Sequence, residues 1–302
     1  MNAKIVVAYG GGVNSVAMLA LLHRSQIVPT AITMADPGSE WAETYQYRDR
    51  VVAPFLARIG FPPVTVVTRM DELRHRRGGL NFETLRGCCE RTASLPSVAY
   101  PPSKKCSQNY KAAPQRWWLD RQEWAKVEWA AGRKIAKAIG YDTDEPRRVR
   151  SSFGDPAEDA KCFPWYPVFE AGMSRDECVD EIRRNVVLAK CAHDAGIGVV
   201  PRKSACTFCP NNSLDDWHDL YHTDPTAFAD AVAMSRAADA TIDSPDVVGL
   251  LRGFAPHGKR SLHRWVDGEY GDTIGPIPGA PSWERTEADP EDDADVPCEC
   301  RS

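Results

Sequence analysis

Three consecutive glycines, Gly10, Gly11 and Gly12, separate an apolar, strand-like stretch at residues 4–8 from a helix-like stretch at residues 16–22. A glycine turn that leads from a strand into a helix lets backbone N–H groups converge. The unpaired N–H groups and the dipole of the helix start then favour an anion. The pattern therefore predicts that residues 10–15 bind a phosphate, and that the ligand is a nucleotide.

The first part of the chain alternates between strand-like and helix-like patterns. Strands are predicted at 3–9, 30–35 and 63–68, and helices at 14–24 and 40–59. A β-α-β-α-β order implies a parallel sheet with helices on its faces. We therefore expect an α/β fold with a doubly wound parallel sheet. The second strand ends at Asp36, Pro37 and Gly38, at the carboxyl edge where open α/β sheets bind ligands.

The rest of the chain is predicted to be irregular at 70–113 and mostly helical afterwards. A long helix is expected at 114–138, with its four tryptophans packing rather than stacking on bases. A short strand is expected near 135–142, a helix from a capping box at Ser174 and Glu177, and a helix at 224–240. We divide the chain into a nucleotide-binding α/β domain at 1–160, a helical, cysteine-containing portion at 161–283 and an acidic tail at 284–302.

Composition narrows the class of protein. The chain has 302 residues, of which 43% are hydrophobic and 26% charged, as in ordinary globular proteins. Its net charge of −5 comes from the tail: residues 284–302 hold eight acidic and two basic side chains, a net of −6, so the rest is about +1. No apolar run approaches the roughly 20 residues that span a bilayer. With no signal-peptide pattern at the N-terminus, we expect a cytoplasmic protein without a membrane partner.

Residue spacing alone leaves two interpretations of the glycine turn open. The chain has no G-x4-G-K-[ST] loop. Gly10, Gly12 and Ser15 nearly fit a dinucleotide-binding G-x-G-x-x-G, with Asp36 as the acidic residue that follows. The alternative is a pyrophosphate-binding loop of the S-G-G-x-D-S type.

Later segments favour the pyrophosphate loop. The run from Asp36 to Tyr45, D-P-G-S-E-W-A-E-T-Y, resembles the D-T-G-x-x-F-P-E-T-Y segment of the phosphoadenosine phosphosulfate (PAPS) reductase family, within the PP-loop superfamily. Further resemblances follow in the family's order and together cover roughly residues 4–215. They are Cys106-x4-Lys111-x2-Pro114, then Gly140 through Glu145 to Arg148, and then Tyr166-Pro167 with Ser174-Arg175-Asp176.

The resemblance implies an adenine nucleotide, either ATP or a sulfonucleotide (PAPS or its non-phosphorylated form, APS), with Mg²⁺ as a possible companion of ATP. It implies a phosphate cradle at Gly10, Gly11, Gly12, Val13, Asn14 and Ser15. It places Asp36, Gly38 and Glu43 beside the nucleotide or its ribose, and it makes Lys111, Arg148 and Asp36 the catalytic candidates. Gly10 and Asn14 depart from the family's Ser and Asp, and the loss of the Asp charge weighs against Mg²⁺-assisted ATP cleavage.

The cysteines form a second signal. The motif Cys206-x-x-Cys209-Pro210 brings two thiolates within reach of one metal or cluster. Cys88, Cys89 and Cys106 are candidates for the remaining ligands, and iron–sulfur, Zn²⁺ and unliganded buried thiols all stay open. Cys162, Cys178 and Cys191 are interpreted as core thiols.

The family resemblance implies a [4Fe–4S] cluster on Cys106, Cys206, Cys209 and Cys89 (or Cys88), with zinc as the alternative. Reductases of the family use a mobile C-terminal cysteine in an E-C-G-x-H context. Cys298 and Cys300 lack the Gly-x-His, and their acidic neighbours raise a thiol pKa, so a catalytic tail is not expected.

These observations predict an enzyme of sulfur metabolism. In the preferred interpretation it activates a nucleic acid or small substrate by adenylation and then transfers sulfur, with basic clusters holding a nucleic-acid backbone. A sulfur donor protein such as a cysteine desulfurase would be a partner, and a homodimer is possible. The alternatives are a sulfonucleotide reductase that releases sulfite, a non-catalytic nucleotide- and zinc-binding subunit, and a dehydrogenase.

Overall fold

The computed structural model of the chain describes residues 3–72, 84–97, 105–151, 160–202, 204–241, 250 and 261–267. The acidic tail, Cys298 and Cys300 lie outside these residues, as does the basic run at 74–77. Within them, no helix is both long enough and apolar enough to cross a membrane.

The predicted α/β fold is confirmed. Five parallel strands form one sheet in the order β3-β2-β1-β4-β5. The strands are β1 (Ile5–Ala8), β2 (Ala31–Asp36), β3 (Val64–Thr68), β4 (Ile135–Ile139) and β5 (Cys162–Trp165). The chain moves outward in one direction from β1 to β3 and in the other from β4 to β5, so the sheet is doubly wound and its order reverses between β1 and β4.

The helices between these strands are mostly short. Those of the first half are α1 (Val13–Arg24), α2 (Ala42–Tyr47), α3 (Ala53–Ile59), α4 (Leu85–Arg91), α5 (Lys105–Ser107), α6 (Ala113–Asp120) and α7 (Glu123–Ala130). Those of the second half are α8 (Pro146–Ser151), α9 (Pro167–Glu170), α10 (Arg175–Arg184), α11 (Val186–Ala195), α12 (Leu214–Thr223), α13 (Pro225–Thr241) and α14 (Leu262–Val266).

Two π-helical turns join neighbouring helices. Arg48–Val52 links α2 to α3, so the helix predicted at 40–59 is present but begins at Ala42. Gln108–Ala112 links α5 to α6 and contains Lys111. Such turns occur often at functional sites.

The long helix predicted at 114–138 is wrong. The helix ends at Asp120, α7 follows from Glu123 to Ala130, and the short strand expected near 135–142 is confirmed as β4 (Ile135–Ile139). Tertiary context decides this, because β4 pairs with β1 and β5 in the middle of the sheet. The tryptophan prediction holds for Trp118, Trp124 and Trp129, which pack on the hydrophobic cluster between α6, α7 and the sheet.

Successive side chains of β1 enter opposite faces of the sheet. Val7 joins a hydrophobic cluster that we call the first core, together with side chains of β2, α1, α3, α10 and α11. Val6 faces the other side, where Leu119 and Ala125 of α6 and α7 cover the sheet. Helix α1 is buried from Val13 to Leu22 because the sheet lies on one side of it and α9 and α10 on the other. The domain boundary at 160/161 stays a prediction, although α10 and α11 contribute to this core.

Several local predictions are confirmed. Ser174 and Glu177 form the predicted capping box at the start of α10. Cys178 and Cys191 are buried in the first core, and Cys162 is buried at β5. α13 covers the helix predicted at 224–240.

A separate hydrophobic cluster, the second core, lies beside the carboxyl edge of the sheet. It joins α4, the cysteine motif and helices α12 to α14. Its main members are Trp41, Leu85, Cys89, Leu95, Cys106, Tyr110, Cys206, Phe208, Cys209, Trp217, Leu220, Phe228, Met234, Leu262 and Trp265.

The start of α1 lies against the end of β4 because residue 140 is glycine. A Cβ atom at Gly140 would lie 2.8 Å from the carbonyl oxygen of Asn14 and 3.0 Å from the backbone nitrogen of Ser15. We therefore expect Gly140→Ala to lower the free energy of unfolding by about 1–3 kcal/mol, measured by denaturant unfolding, because backbone would have to move.

Gly198→Ala is the matched control, because a Cβ there meets no atom closer than the Val200 carbonyl oxygen at 3.9 Å. Equal stabilities of the two variants would contradict this account of the contact between α1 and β4.

Candidate functional site

The glycine turn lies at the carboxyl edge of β1, next to the point where the strand order reverses. Ligands of open α/β sheets bind at this place. Gly12 is the N-cap of α1, so the helix start faces the crevice with the unpaired N–H groups of its first turn. The fold therefore places the predicted phosphate site at the carboxyl edge of the sheet and at a helix N-terminus.

Gly11 is the tightest point of the turn. Its φ is +85°, and a Cβ there would lie 2.6 Å from Cγ2 of Thr44 and 3.3 Å from Oγ of Ser204. Only glycine combines this backbone conformation with so close an approach. The turn is thus packed between α2 and the segment that precedes the cysteine motif.

The side chains predicted to cradle phosphate have partners within the protein. Ser15 Oγ donates to the Gly12 carbonyl at 2.8 Å, and both Ser15 and Asn14 are buried. The Asn14 amide nitrogen donates to Asp142 at 2.8 Å and to Glu145 at 3.2 Å. Its oxygen accepts a hydrogen bond from Arg175 at 2.9 Å. The predicted anion would therefore meet the backbone N–H groups of residues 10–15 rather than these side chains.

Asn14 lies beside two carboxyl groups, and burial disfavours the ionised form of both. Burial raises the pKa of Asp142 above its usual range, partly offset by the Asn14 hydrogen bond. Burial also raises the pKa of Glu145, partly offset by Arg148. An aspartate at position 14 would add a third negative charge to this pair. The amide at position 14 thus has a local electrostatic reason.

Arg148 is held rigidly beside this group. Its guanidinium contacts Glu145 at 2.5 Å and lies 4.4 Å from the centroid of the Tyr141 ring, which stacks on Tyr166. Arg148 is buried, so its charge acts in a poorly screened environment. Together with Arg175, it offsets the negative charges of Asp142 and Glu145 beside the α1 start.

Asp36 and Glu43, predicted beside the nucleotide, occupy the loop after β2 and the start of α2. Asp36 accepts hydrogen bonds from the Gly38 backbone and the Tyr45 hydroxyl, both at 2.7 Å. Burial and the hydrogen bond to Asp36 raise the pKa of Tyr45, so the hydroxyl stays protonated and remains a donor. Glu43 lies 3.7 Å from Arg202. The structure brings both residues to the edge that holds the glycine turn, and their ligand roles stay predictions.

The cysteine motif pairs directly with this loop. Glu40 and Cys206 form an isolated antiparallel bridge. The Trp41 N–H donates to Ala205 at 3.1 Å, and the Thr207 N–H donates to Ser39 at 2.9 Å. The Cys209 N–H donates to the Cys206 carbonyl at 3.0 Å, which closes the turn between the two thiols. The motif is therefore paired, through one β-bridge and its flanking hydrogen bonds, with the segment that follows β2.

A chain of polar contacts joins the motif to the glycine turn. The Ser204 hydroxyl donates to the Gly10 carbonyl at 2.5 Å and lies 3.2 Å from Glu40. Glu40 accepts a hydrogen bond from the Lys111 ammonium at 2.7 Å. The Glu40 side chain is 1% exposed and that of Lys111 14%, so this ion pair is well shielded from solvent. Lys111 therefore stands between the two predicted sites.

The candidate metal ligands share the second core. Cys89, Cys106, Cys206 and Cys209 are buried members of it, and Cys88 packs against it. None of the eight cysteines in the described ranges forms a disulfide. Burial, with further contributions from Cys88 and Cys106, raises the pKa of the Cys89 thiol to about 12. As their side chains stand, no three His, Cys, Asp or Glu residues of the described part form a group that could hold a metal ion.

Three side chains of this region hold buried polar atoms without a hydrogen-bond partner. The indole nitrogens of Trp41 and Trp217 and both amide atoms of Asn212 are buried without a hydrogen-bond partner. Buried polar atoms normally have partners, so each exception needs an explanation. Thiolate donors suit iron–sulfur clusters and zinc alike.

Sequence reasoning missed several residues of this region: Glu40, Ser204, Asp142, Arg175, Trp41 and Asn212. The segments that the resemblance identified already contain Glu40, Trp41, Asp142 and Arg175. Nothing in the spacing of Ser204 or Asn212 distinguishes them from ordinary loop residues.

Comparisons with known proteins add little. No protein-family model matches the chain, and no curated protein does. Among solved structures, the chain is similar to the U34-tRNA thiolase NcsA from Methanococcus maripaludis, described with its [4Fe-4S] cluster. The identity is 16%, the match covers 91% of this chain and 82% of that one, and the TM-score is 0.35. A TM-score this low supports no argument about function.

The contacts of Asn14 predict the effect of a charge at this position. We expect Asn14→Asp to lower the free energy of unfolding by about 2–3 kcal/mol at neutral pH, because a buried carboxylate would face Asp142 and Glu145. The loss should shrink as the pH falls towards 4. Carboxyls whose pKa is raised by folding take up protons on folding, so repulsion among them is present at high pH and lost at low pH.

Asn109→Asp is the matched control. Asn109 is exposed, so a carboxylate there stays solvated and should change stability little. Chemical denaturation of both variants from pH 4 to 8 checks the prediction, and a pH-independent effect of Asn14→Asp would contradict it.

The Lys111–Glu40 pair makes a separate prediction. We expect Lys111→Met to destabilise the protein by about 3–5 kcal/mol, since it leaves a buried carboxylate without its cation. Adding Glu40→Gln to that variant should recover much of the lost stability, because it removes the unpaired charge. Lys126→Met should cost less than about 1 kcal/mol, because its ion pair with Glu123 is exposed. Urea unfolding of the four proteins measures this, and equal losses for the two lysine variants would refute it.

Proposed function

We propose that this chain is an adenine-nucleotide-dependent enzyme of sulfur transfer, similar to the PAPS reductase-like branch of the PP-loop superfamily. The nucleotide binds at residues 10–15, and a [4Fe–4S] cluster binds at Cys106, Cys206, Cys209 and Cys89 (or Cys88). Zinc on the same thiolates is the alternative metal. The thiols must turn towards one centre for either group to bind.

One observation carries this proposal. The backbone around Cys206 pairs with residues 39–41 through an isolated β-bridge, and Ser204 donates a hydrogen bond to the glycine turn itself. Two sequence motifs about 190 residues apart therefore share one edge of the sheet. An enzyme that activates a substrate with a nucleotide and then delivers sulfur to it needs this proximity.

The residues around the turn suit the handling of phosphate. The α1 N-terminus faces the nucleotide with N–H groups and a positive dipole end. Arg148 and Arg175 lie on the β4 side of the turn, and Lys111 lies on the β2 side. These charges would stabilise pyrophosphate as it leaves. Mg²⁺ would accompany ATP as a counterion of its phosphates.

The proposed reaction has two balanced steps. A substrate oxygen attacks the α-phosphorus of ATP, which forms an adenylated substrate and releases pyrophosphate. A sulfur nucleophile then displaces AMP and forms a carbon–sulfur bond in place of the carbon–oxygen bond. An iron–sulfur cluster, when bound, supplies a site to which that sulfur can be attached. A nucleic acid is the acceptor class we favour, with a sulfur donor protein such as a cysteine desulfurase as partner.

A second candidate is a non-catalytic subunit that binds a nucleotide and a metal. The contacts of Asn14 favour it, because its amide is fully engaged by Asp142, Glu145 and Arg175 instead of carrying the family's negative charge. Such a subunit would bind ATP and metal without releasing pyrophosphate on any acceptor.

We expect anaerobically purified protein to be brown, with about four irons per chain, and Cys206→Ser to lose this iron. Cys178→Ala is the control and should keep its iron, since Cys178 lies in the first core. Metal analysis and absorption spectra give the result. Full iron in Cys206→Ser would refute the ligand set, and colourless protein with one zinc would select the alternative metal.

The nucleotide arm of the same experiment uses Ser15→Ala. Loss of the hydroxyl that supports the Gly12 carbonyl should weaken ATP binding about tenfold, or about 1.4 kcal/mol, and leave the metal in place. Calorimetric titration measures binding, and a pyrophosphate-release assay with nucleic-acid acceptors separates the enzyme from the subunit. Tight ATP binding with no release would support the subunit.

A further inference from the structure

One side chain from a distant segment holds the glycine turn. The Ser204 hydroxyl donates a hydrogen bond to the Gly10 carbonyl at 2.5 Å, across 194 positions of the chain. Among the described residues, no other donor bonds to this carbonyl. Ser204 also lies against the next residue of the turn, because a Cβ atom at Gly11 would be 3.3 Å from its Oγ. Ser204 is 3% exposed, so its hydrogen bond is shielded from competing water.

This hydrogen bond fixes the orientation of a whole peptide group. In a planar trans peptide, the C=O of one residue and the N–H of the next point in opposite directions. With the Gly10 carbonyl directed at Ser204, the Gly11 N–H therefore points away from Ser204. The backbone N–H groups from Gly11 to Ser15 have no hydrogen-bond partner within the part of the chain that the structure describes. In this orientation the Gly11 N–H adds one donor to those of the α1 start.

The opposite orientation of the same peptide is sterically accessible. Glycine on both sides removes the Cβ atoms that restrict backbone rotation, so the peptide between Gly10 and Gly11 can turn over at low cost. The reversed peptide would direct its carbonyl oxygen at the phosphate in place of the N–H group. Because that oxygen repels an anion, only one of the two orientations favours phosphate. A group that selects the orientation therefore controls the affinity of the turn for anions.

The neighbouring carboxylate leaves the Ser204 hydrogen to the turn. A serine hydroxyl has one hydrogen to donate, and Glu40 Oε2 is a second acceptor near it at 3.2 Å. The Gly10 carbonyl is the closer acceptor. The other Glu40 oxygen already accepts a hydrogen bond from the Lys111 ammonium at 2.7 Å, which balances the carboxylate charge. The shorter distance assigns the hydrogen to the Gly10 carbonyl.

Ser204 reaches the turn because its segment is paired with the loop after β2. The Trp41 N–H donates to the carbonyl of Ala205, the next residue, at 3.1 Å, and the bridge between Glu40 and Cys206 follows. These contacts set the position of the Ser204 backbone. The orientation of the glycine turn therefore depends on the docking of the segment that leads into the cysteine motif.

We infer that Ser204 is a positioning residue that holds the Gly10–Gly11 peptide with its N–H group towards the phosphate of the nucleotide. This role rests on the proposed function, and it requires no metal at the cysteine motif. The contact with phosphate belongs to the backbone, and Ser204 acts through it. The segment before Cys206 thereby regulates the nucleotide site, because the turn binds phosphate well only while Ser204 is docked on it.

The test compares Ser204→Ala with wild type by calorimetric titration with ATP and with inorganic pyrophosphate. Without the hydroxyl, both peptide orientations become populated, and the apparent dissociation constant rises as the competent fraction falls. We expect both ligands to bind about fivefold more weakly, since one neutral hydrogen bond selects the orientation. The factor should be the same for both ligands, because the affected N–H group faces phosphate and not the base.

A second measurement follows the peptide itself and needs no variant. In isotope-labelled wild-type protein, pyrophosphate should move the amide proton resonance of Gly11 downfield, because the N–H group gains a hydrogen bond to an anion. A Gly11 resonance that does not respond, in protein that binds pyrophosphate, would mean that this N–H points elsewhere, and it would overturn the role of Ser204.

Ser235→Ala is the matched control. Ser235 is 2% exposed, and its hydroxyl lies 3.2 Å from Nδ1 of His263, so this variant loses a buried serine hydrogen bond on α13 and not at the turn. Urea unfolding should show comparable losses of stability in the two variants, while Ser235→Ala should bind ATP as the wild type does. An equal loss of affinity in both variants would mean that destabilisation alone weakens binding, which contradicts the role of Ser204.

The outcomes separate this role from the proposed function. Wild-type protein that binds neither ATP nor pyrophosphate would overturn the nucleotide site, and the role of Ser204 with it. Wild-type protein that binds both, with unchanged affinity in Ser204→Ala, would overturn the role of Ser204 alone. Neither result depends on the iron or zinc content of the protein, so a failure of the metal site would change neither.

Discussion

The backbone pairing between residues 39–41 and 205–207 is the contact on which the candidate site depends. These hydrogen bonds add the cysteine motif to the segment after β2, at the carboxyl edge of the sheet. The Ser204 hydroxyl then joins the motif to the glycine turn through the Gly10 carbonyl. Without this pairing, the two motifs that suggest a function would belong to unrelated parts of the molecule.

The charges around the turn form two separate groups. On the β2 side, the shielded pair of Lys111 and Glu40 lies next to Ser204. On the β4 side, Asn14 links Asp142, Glu145 and Arg175. Glu40, Asn14 and Asp142 are buried, whereas Arg175 is exposed. The buried charges must be balanced by their neighbours, which limits what can replace each of them. The amide at position 14 is compatible with two nearby carboxylates, whereas an aspartate there would repel them.

Much of the fold follows from local patterns. The alternation of strands and helices in the first seventy residues, the capping box at Ser174 and the buried thiols of Cys178 and Cys191 were all predicted correctly. The helix at 114–138 was not, although the strand expected near 135–142 was correct, because the two predictions overlap and the apolar pattern at 135–138 suits either. Only pairing with β1 and β5 selects the strand.

The sequence by itself determined that a glycine turn joins a strand to a helix, and that two cysteines lie one turn apart. Both patterns are local, because neighbouring residues set the backbone conformation that each needs. Tertiary structure alone decided that these motifs meet, that Asn14 faces carboxylates, and that Asn212 is buried without a partner. Contacts between distant segments depend on how the sheet and its cores pack, and residue spacing along the chain does not contain that information.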